Sequence, residues 1–563
     1  MRHIFDTFSG APHMFTSGSS RLRAAVVGLA GAALALGTPG LSVAGPAPSP
    51  LAPHTTFTMQ PDGSSGLTAS GAEIPNIDSD KSTIRAYYAA TNGIADKASS
   101  PYITEMHGIE AHILAQLPAV DPADHQAVVF DADDTTLWTY DMEDGGMKFT
   151  FDPVLQNHWV QAGLFPATPG MVDLVNEVAA RGYHVYGITG RTSDQEAATL
   201  DNLADVGYLP FDADNFFTKW TAQPGGTALP KPGYVDCTAD GNPASCSTVE
   251  YKAFTRRHIE DDLGDHIVLN VGDQFSDLQG GFADASVKLP NPTYYLPSPN
   301  IAGAPASDAA LTPRTEFTMA PDGSSGRTEG GEGIPNIDSV KSTIRTYYRA
   351  TNGIAAKDSS PYISEMQDLS RTWTADLATE CTQARQADER PAVVFDADDT
   401  TLWTYDMEDG AMKFTFDPAL QNTWVQDQRF PATPGMVAVV RAADRAGCTI
   451  VGLTGRNDAQ RSATLGNLAK FYVDAKSGRP LFRSKYYFTK WTSGSTPPAY
   501  VDCSTDGNPA SCSTIDYKAS TRRYVEDQLG FSIVANFGDQ FSDLVGGHGG
   551  TAVKLPNPTY YLP

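Results

Sequence analysis

An α/β fold is expected, built twice as two tandem domains around parallel sheets. Three observations predict it. Apolar segments of strand length alternate with segments whose apolar residues recur at helical spacing, the pattern of a parallel sheet with covering helices. Segments rich in carboxylates and hydroxyls begin where the apolar strands end, which is the edge of such a sheet where ligands gather. The chain also repeats itself over a length far beyond a solenoid unit, so each repeat is a domain.

In the first repeat, Ser82–Asn92 (STIRAYYAATN) carries apolar residues at helical spacing, and Gly93 supplies a stop. Ala127–Phe130 reads as a short buried strand, and Tyr183–Ile188 as a strand followed by a turn. Asp194–Val206 reads as a helix with Ala197, Leu200 and Leu203 on one face and Gly207 at its end. Thr255–Leu263 is expected to be helical and Ile267–Val271 a further strand.

The repeat is read directly. Ala127–Gly145 and Ala392–Gly410 are the same nineteen residues, AVVFDADDTTLWTYDMEDG. VKLPNPTYYLP occurs at Val287–Pro297 and again at Val553–Pro563, and Phe57-Thr58-Met59 recurs as Phe317-Thr318-Met319. The domains are therefore expected at 57–297 and 317–563. Between them, 298–316 is rich in Pro, Ala and Ser and reads as a linker. At the N-terminus, Arg21 and Arg23 precede a small apolar run, Ala24–Gly37, and Ser42-Val43-Ala44 offers small residues for cleavage. Residues 1–44 are expected to be a signal peptide and 45–56 a Pro-rich linker, with the mature chain secreted and extracellular. The leader before Arg21 is unusually long and polar, and Met14 is an alternative start. The run is too short for a good membrane span, and no other segment approaches the ~20 apolar residues one needs, so no stable membrane insertion is expected.

The chain has 563 residues, 41% hydrophobic and 19% charged, enough apolar content for two proper cores. Forty Lys and Arg against 66 Asp and Glu give a net charge of −26. That balance argues against nucleic acid or anionic membrane as a partner. It suits a soluble protein that tolerates mild acidity, and the acidity has no further meaning if it serves solubility alone.

Four motifs carry chemistry. Asp131-Ala132-Asp133-Asp134-Thr135 follows the strand AVVF directly, with Asp396-Ala397-Asp398-Asp399-Thr400 as its copy. Carboxylates crowded at a partly dry strand end push one pKa up, so that one can act as nucleophile while another holds a proton. Alone, the pentapeptide also fits a calcium loop or an Asx-turn, although the EF-hand pattern fails at its Gly and Glu positions. Ile188-Thr189-Gly190-Arg191 and Leu453-Thr454-Gly455-Arg456 place a hydroxyl and a glycine at a strand end, either an anion-binding corner or an ordinary turn. Lys252 and Lys518, each after a Tyr, precede the helix containing Arg256 or Arg522; a lone Lys is usually a solvated surface residue. Asp273 and Asp277 end the last strand, matched by Asp539 and Asp543, and carboxylate oxygens of this kind suit a hard cation or a plain turn.

In this order, and occurring twice, the motifs resemble those of the haloacid-dehalogenase (HAD) superfamily of phosphohydrolases. The likeness is greatest to its secreted acid phosphatase branch, which includes class B and class C enzymes and plant vegetative storage proteins. The resemblance covers nearly all of both repeats and implies HAD-like Rossmannoid domains, each with a small cap. It implies that Asp131 and Asp396 are nucleophiles and that Asp133 and Asp398 are the acid/base groups. Thr189 with Gly190, and Thr454 with Gly455, would hold phosphoryl oxygens. Lys252 and Lys518 would neutralise charge there. Magnesium (Mg2+) would bind Asp131, the carbonyl of Asp133 and Asp273, supported by Asp277; in the second copy it would bind Asp396, the carbonyl of Asp398 and Asp539, supported by Asp543. Trp138, Tyr140, Phe149 and Phe151, mirrored by Trp403, Tyr405, Phe414 and Phe416, fall in the family's flap region. They either stack on a leaving group or form the core of a small cap.

Six cysteines in an exported chain are expected to pair. Cys237 and Cys246 flank a Gly-Asn-Pro turn, as do Cys503 and Cys512. Cys381 and Cys448 occur only in the second repeat, and their joint absence from the first suggests a third bridge. Zinc is not expected, because no further ligand is placed to complete a site. The expected function is that of a secreted, magnesium-dependent acid phosphatase acting on small phosphomonoesters at two sites. A phosphotransferase is the alternative within the class, and a non-catalytic storage or surface-binding protein the alternative outside it. Each repeat carries its own full set, so neither is expected to need residues from the other.

Overall fold

The computed structural model describes residues 66–68, 70–121, 123–302, 304, 326–328, 330, 333–504 and 511–562. The expected signal peptide, the Pro-rich segment 45–56 and most of the linker lie outside the described residues.

The first repeat runs α1 (Ile77–Tyr87), α2 (Pro101–Gln116), β1 (Gln126–Phe130), α3 (Pro153–Gln161), α4 (Met171–Ala180), β2 (His184–Thr192), α5 (Glu196–Asp205), β3 (Phe216–Lys219), α6 (Thr248–His258), β4 (His266–Gly272), α7 (Phe275–Leu278) and β5 (Ala285–Lys288). The second follows as α8 (Ile337–Tyr348), α9 (Pro361–Gln386), β6 (Pro391–Phe395), α10 (Pro418–Gln426), α11 (Met436–Arg445), β7 (Thr449–Asn457), α12 (Arg461–Ala469), β8 (Tyr487–Lys490), α13 (Thr514–Asp527), β9 (Ser532–Gly538), α14 (Phe541–Leu544) and β10 (Thr551–Lys554). Each repeat builds a five-stranded sheet, ordered β3-β2-β1-β4-β5 and β10-β9-β6-β7-β8, and every pairing is parallel. The α/β architecture is as the sequence predicts.

The central strands explain the order. Residues 127–130 and 391–395 are buried along their whole length, which suits an apolar strand covered on both faces by helices. Register then places the chemistry. Phe130 pairs with Val271, so the chain leaves β1 and β4 at the same level, and the Asp131 amide donates to the Val271 carbonyl at 3.1 Å.

The structure moves several expected boundaries. The first helix starts at Ile77, because the Asn76 side chain caps it by accepting from the amides of Asp78 and Ser79. It ends at Tyr87, and left-handed Ala89 and Asn92 follow before Gly93 is reached. β2 runs on through Thr189-Gly190-Arg191, so this motif extends a strand where a turn was expected. The expected helix Thr255–Leu263 begins at Thr248, where Ser247 and Glu250 form a capping box, and it finishes in a π-helical turn over Ile259–Leu263. Lys252 therefore sits inside α6 and not before it, and Lys518 sits likewise inside α13.

The described residues of both repeats lie in one compact unit. Their apolar core is continuous: Ile77 and Ile84 of α1 and Ile337 and Ile344 of α8 belong to the same buried cluster.

Candidate active site

Three aspartates meet at the carboxyl ends of β1 and β4. Carboxylate oxygens of Asp131, Asp273 and Asp277 lie within 4.8 Å of one another, all buried, and Asp396, Asp539 and Asp543 do the same in the second repeat. One turn inside α6, Lys252 points into this group: its Nζ donates to Asp131 Oδ1 at 2.5 Å and to Asp277 Oδ1 at 2.7 Å. Lys518 makes the same pair of contacts, 2.8 Å to Asp396 Oδ1 and a short one to Asp543 Oδ1. The other Asp277 oxygen accepts from the Gln274 amide at 2.8 Å, so Asp277 is fully engaged in holding the lysine and the turn. Gly272 makes that turn possible, since a Cβ there would come within 2.5 Å of the Asp277 Cβ.

The electrostatics are those of a site short of positive charge. Burial alone would lower the Lys252 ammonium, but Asp131 and Asp277 outweigh it and hold the group charged above the usual lysine range. Burial pushes the Asp131 carboxyl well up; Lys252 opposes this, and Asp277 and Asp273 add to the rise. Asp273 is pushed up to about 7 by burial and by Asp277, and Asp539 to about 6. Three carboxylates facing one ammonium, with only oxygen donors, fit a hard divalent cation. Asp131, Asp273 and Asp277 are grouped to hold it; both oxygens of Asp277 are already engaged, by Lys252 and by the Gln274 amide, whereas Lys252 takes Asp131 at Oδ1 alone.

Asp133 is held by a different partner. Its side chain, 27% exposed, is gripped by the buried Arg191 guanidinium, with Nη2 at 2.6 Å and Nε at 3.2 Å. Arg191 is fixed in turn by Thr199 at 3.0 Å and lies over the Phe165 ring. Arg456 holds Asp398 in the same way, at 2.5 Å. Thr189 is buried, and its Oγ1 accepts from the Arg191 amide at 3.2 Å. Gly190 is exposed, and a Cβ built on it would meet nothing within 4 Å, as for Gly455. The backbone there is open to a ligand.

A family model decides what this arrangement belongs to: the HAD superfamily, subfamily IIIB (Acid phosphatase), matches residues 78–297 and again 354–563. The chain is a member of that family, twice over. Among curated proteins it is 30% identical over 191 residues to the stem 28 kDa glycoprotein of Glycine max, a match covering 33% of this chain and 66% of that one. It is 31% identical over 172 residues to acid phosphatase 1 of Solanum lycopersicum, covering 30% of this chain and 58% of that one. It is 29% identical over 173 residues to vegetative storage protein 1 of Arabidopsis thaliana, covering 30% and 55%. The chain thus spans about two thirds or less of the length of these relatives. Among solved structures, a class C acid phosphatase of Bacillus anthracis aligns with 17% identity and a TM-score of 0.24, over 38% of this chain and 80% of that one.

Within this acid phosphatase framework, the motif aspartates and the lysine come together in each repeat, Arg191 or Arg456 ties Asp133 or Asp398 to the Thr-Gly-Arg strand, and several residues given no role from the sequence join them. Asp134, left-handed at φ 49°, is buried and pushed up to about 7; its oxygens accept from the Thr139 amide at 3.0 Å and hydroxyl at 2.5 Å. Asn291 donates from Nδ2 to Asp273 Oδ2 at 2.7 Å and to Asp134 Oδ2 at 3.3 Å. Tyr294 is raised far above the usual phenol range by burial and then by the facing Asp273, Asp134, Asp133 and Asp131. The duplicated VKLPNPTYYLP was the available signal for the last two. The flap aromatics divide. Trp138, Tyr140 and Phe149 are core, whereas Phe151 is 67% exposed and Phe416 69% exposed. In the structure Cys237 is joined to Cys246, Cys503 to Cys512 and Cys381 to Cys448.

Proposed function

We propose that this chain is a secreted phosphomonoesterase with two active sites, dependent on magnesium and working through an aspartyl-phosphate. The observation that carries the reading is the buried lysine bridging Asp131 and Asp277 beside Asp273, built identically in the second repeat around Lys518. A nucleophilic carboxylate held by a fixed ammonium, in a dry oxygen-lined cluster, is what phosphoryl transfer asks of a protein: alignment and neutralisation of charge.

Asp131 attacks phosphorus, and the bond from phosphorus to the leaving alcohol breaks. Asp133, held at the solvent side by Arg191, gives its proton to that alcohol. Water then attacks phosphorus, Asp133 takes back a proton, and the bond to Asp131 breaks to release phosphate. Thr189 and the Gly190 amide hold phosphoryl oxygens, and Lys252 balances the charge that collects between Asp131 and the phosphoryl group. Asp131, the Asp133 carbonyl and Asp273 would hold a magnesium ion, which when bound would supply further charge neutralisation. Asp396, Asp398, Arg456, Thr454, Gly455, Lys518 and Asp539 take these parts in the second repeat. Water as acceptor makes the chain a phosphatase; an alcohol in its place would make it a phosphotransferase with the same residues. Export is supported by three disulfides, since such bonds persist in oxidising compartments. No helix among the described residues is long and apolar enough to cross a membrane.

Hydrolysis of p-nitrophenyl phosphate by the purified protein is expected to vanish after exhaustive EDTA treatment and desalting, and to return with magnesium. Full activity in the stripped protein would count against the reading. A storage role without catalysis, the kind of name the Arabidopsis relative carries, would leave no hydrolysis under either condition.

A further inference from the structure

We propose that each active site is completed by the other repeat, with Asn336 a positioning residue for the first site and Asn76 for the second; this rests on the reading of Asp273 and Asp539 as cation-facing residues. Neither asparagine belongs to the repeat whose site it serves.

The contacts are reciprocal, as in an isologous dimer fused into one chain. Asn336 caps α8 through its Oδ1, which leaves its Nδ2 to donate across the interface to the carbonyls of Asn291 at 3.0 Å and Tyr294 at 2.6 Å. The Ile337 amide donates to the Pro292 carbonyl at 2.9 Å. Asn76 does the same for the second site, donating to the carbonyls of Asn557 at 3.0 Å and Tyr560 at 2.7 Å, and the Ile77 amide donates to Pro558. The clamped segments end on the chemistry. Asn291 Nδ2 reaches Asp273 Oδ2 at 2.7 Å, and Asn557 Nδ2 reaches Asp539 Oδ2 at 2.8 Å. Lys341 also donates to the Phe149 carbonyl in the flap of the first repeat, and Lys81 to Phe414 in the second. One repeat thus holds two segments of the other, the one that ends on the aspartate and the one that carries Phe149 or Phe414.

Without Asn336 the Asn291 carbonyl loses this donor and the Tyr294 carbonyl keeps only a 3.4 Å contact from Gln274 Nε2, so the segment can shift; Asn291 Nδ2 would move with it, leaving Asp273 Oδ2 to Gln274 Nε2 at 2.7 Å. Loss of such outer support typically weakens a metal site by about tenfold or more. Each repeat keeps its own reacting groups, and it is the support of those groups that crosses the interface.

The test uses full-length protein in which Asp396→Asn silences the second site, so that turnover reports the first. Asn336→Asp keeps an N-cap acceptor and removes the two donors. It is expected to raise the magnesium concentration for half-maximal turnover about tenfold, and to weaken magnesium binding at the first site, followed by calorimetry, by the same factor. In the Asp131→Asn background, which reports the second site, the same change is expected to act less than Asn76→Asp. Asn336→Ser, a neutral cap too short to span both carbonyls, is expected to reproduce the shift, and it decides the matter should the Asp variant fail to fold. Unchanged magnesium dependence in both Asn336 variants would overturn the inference. Absence of magnesium-dependent turnover in the Asp396→Asn parent would instead overturn the reading of the site.

Discussion

Asp80 and Val340 occupy the same place in the two repeats, on α1 and α8, and only one of them carries an acid. Asp80 is fully buried, and neither carboxyl oxygen has a hydrogen-bond partner among the described residues. Burial raises its pKa well above the usual range, while Lys81 and Lys341 oppose the rise. The folded protein therefore holds a proton that the unfolded chain releases near pH 4. The stability this proton contributes is complete below that pH and is lost as pH rises toward the folded value, after which it stays lost. Asp80→Val is expected to raise the unfolding temperature at pH 7 by removing an unpaired buried acid that costs about 1–3 kcal/mol, and to flatten the decline in stability from pH 4 to 7. Scanning calorimetry across that range checks it; an equal decline in the variant would contradict it. Other residues show what a sequence conveys at this scale. Asp131, Asp133 and Asp273 were legible because their chemical types follow strand ends in a set order, and Thr189 because its motif keeps its place in that order, although it lies within β2. The grip of Arg191 on Asp133 and of Asn291 on Asp273 was not, because each depends on where two strands or a tail finally lie.

Elements were legible where periodicity was strong and went astray at caps and strand ends. β1 and β4 lie within one residue of their expected bounds at each end, since a buried parallel strand is a plain apolar run. The expected helix began late, at Thr255, because Lys252 reads as a solvated surface residue; it is buried inside α6 against Asp131 and Asp277, whereas Glu250 is buried against the nearby amides of Ser247 and Asp240. β3 and β5, four residues each, carry too little pattern to be found. One difference between the repeats belongs to this scale. α9 has 26 residues against 16 in α2, and the longer helix carries Cys381, bonded to Cys448 just ahead of β7. The loop this closes is 67 residues long, for which the chain-entropy model gives roughly 4 kcal/mol. The paired change Cys381→Ser with Cys448→Ser is expected to lower the unfolding temperature of the second repeat, and limited proteolysis would then cut α9 first. Unchanged melting and an unchanged cleavage pattern would contradict it.

The duplication is visible in the sequence as whole identical segments, and Asp131, Asp133 and Asn291 fall inside them with their copies Asp396, Asp398 and Asn557. How the copies interlock is not visible, because Asn76 meets Asn557 across 481 positions and no local pattern records it. The reacting groups nonetheless stay separate: Asp131, Asp133 and Lys252 come from one repeat, and Asp396, Asp398 and Lys518 from the other. Replacing an aspartate by asparagine keeps the shape and removes the nucleophilic charge, so the support each repeat lends its neighbour survives. The most direct test is the turnover of p-nitrophenyl phosphate at saturating substrate and magnesium by Asp131→Asn, Asp396→Asn and the double variant, each shown to be folded. The account predicts that each single variant keeps a substantial fraction of activity and that the double variant keeps almost none. A folded double variant with wild-type turnover would contradict the nucleophile assignment, and a single variant as inactive as the double would contradict the claim of two working sites.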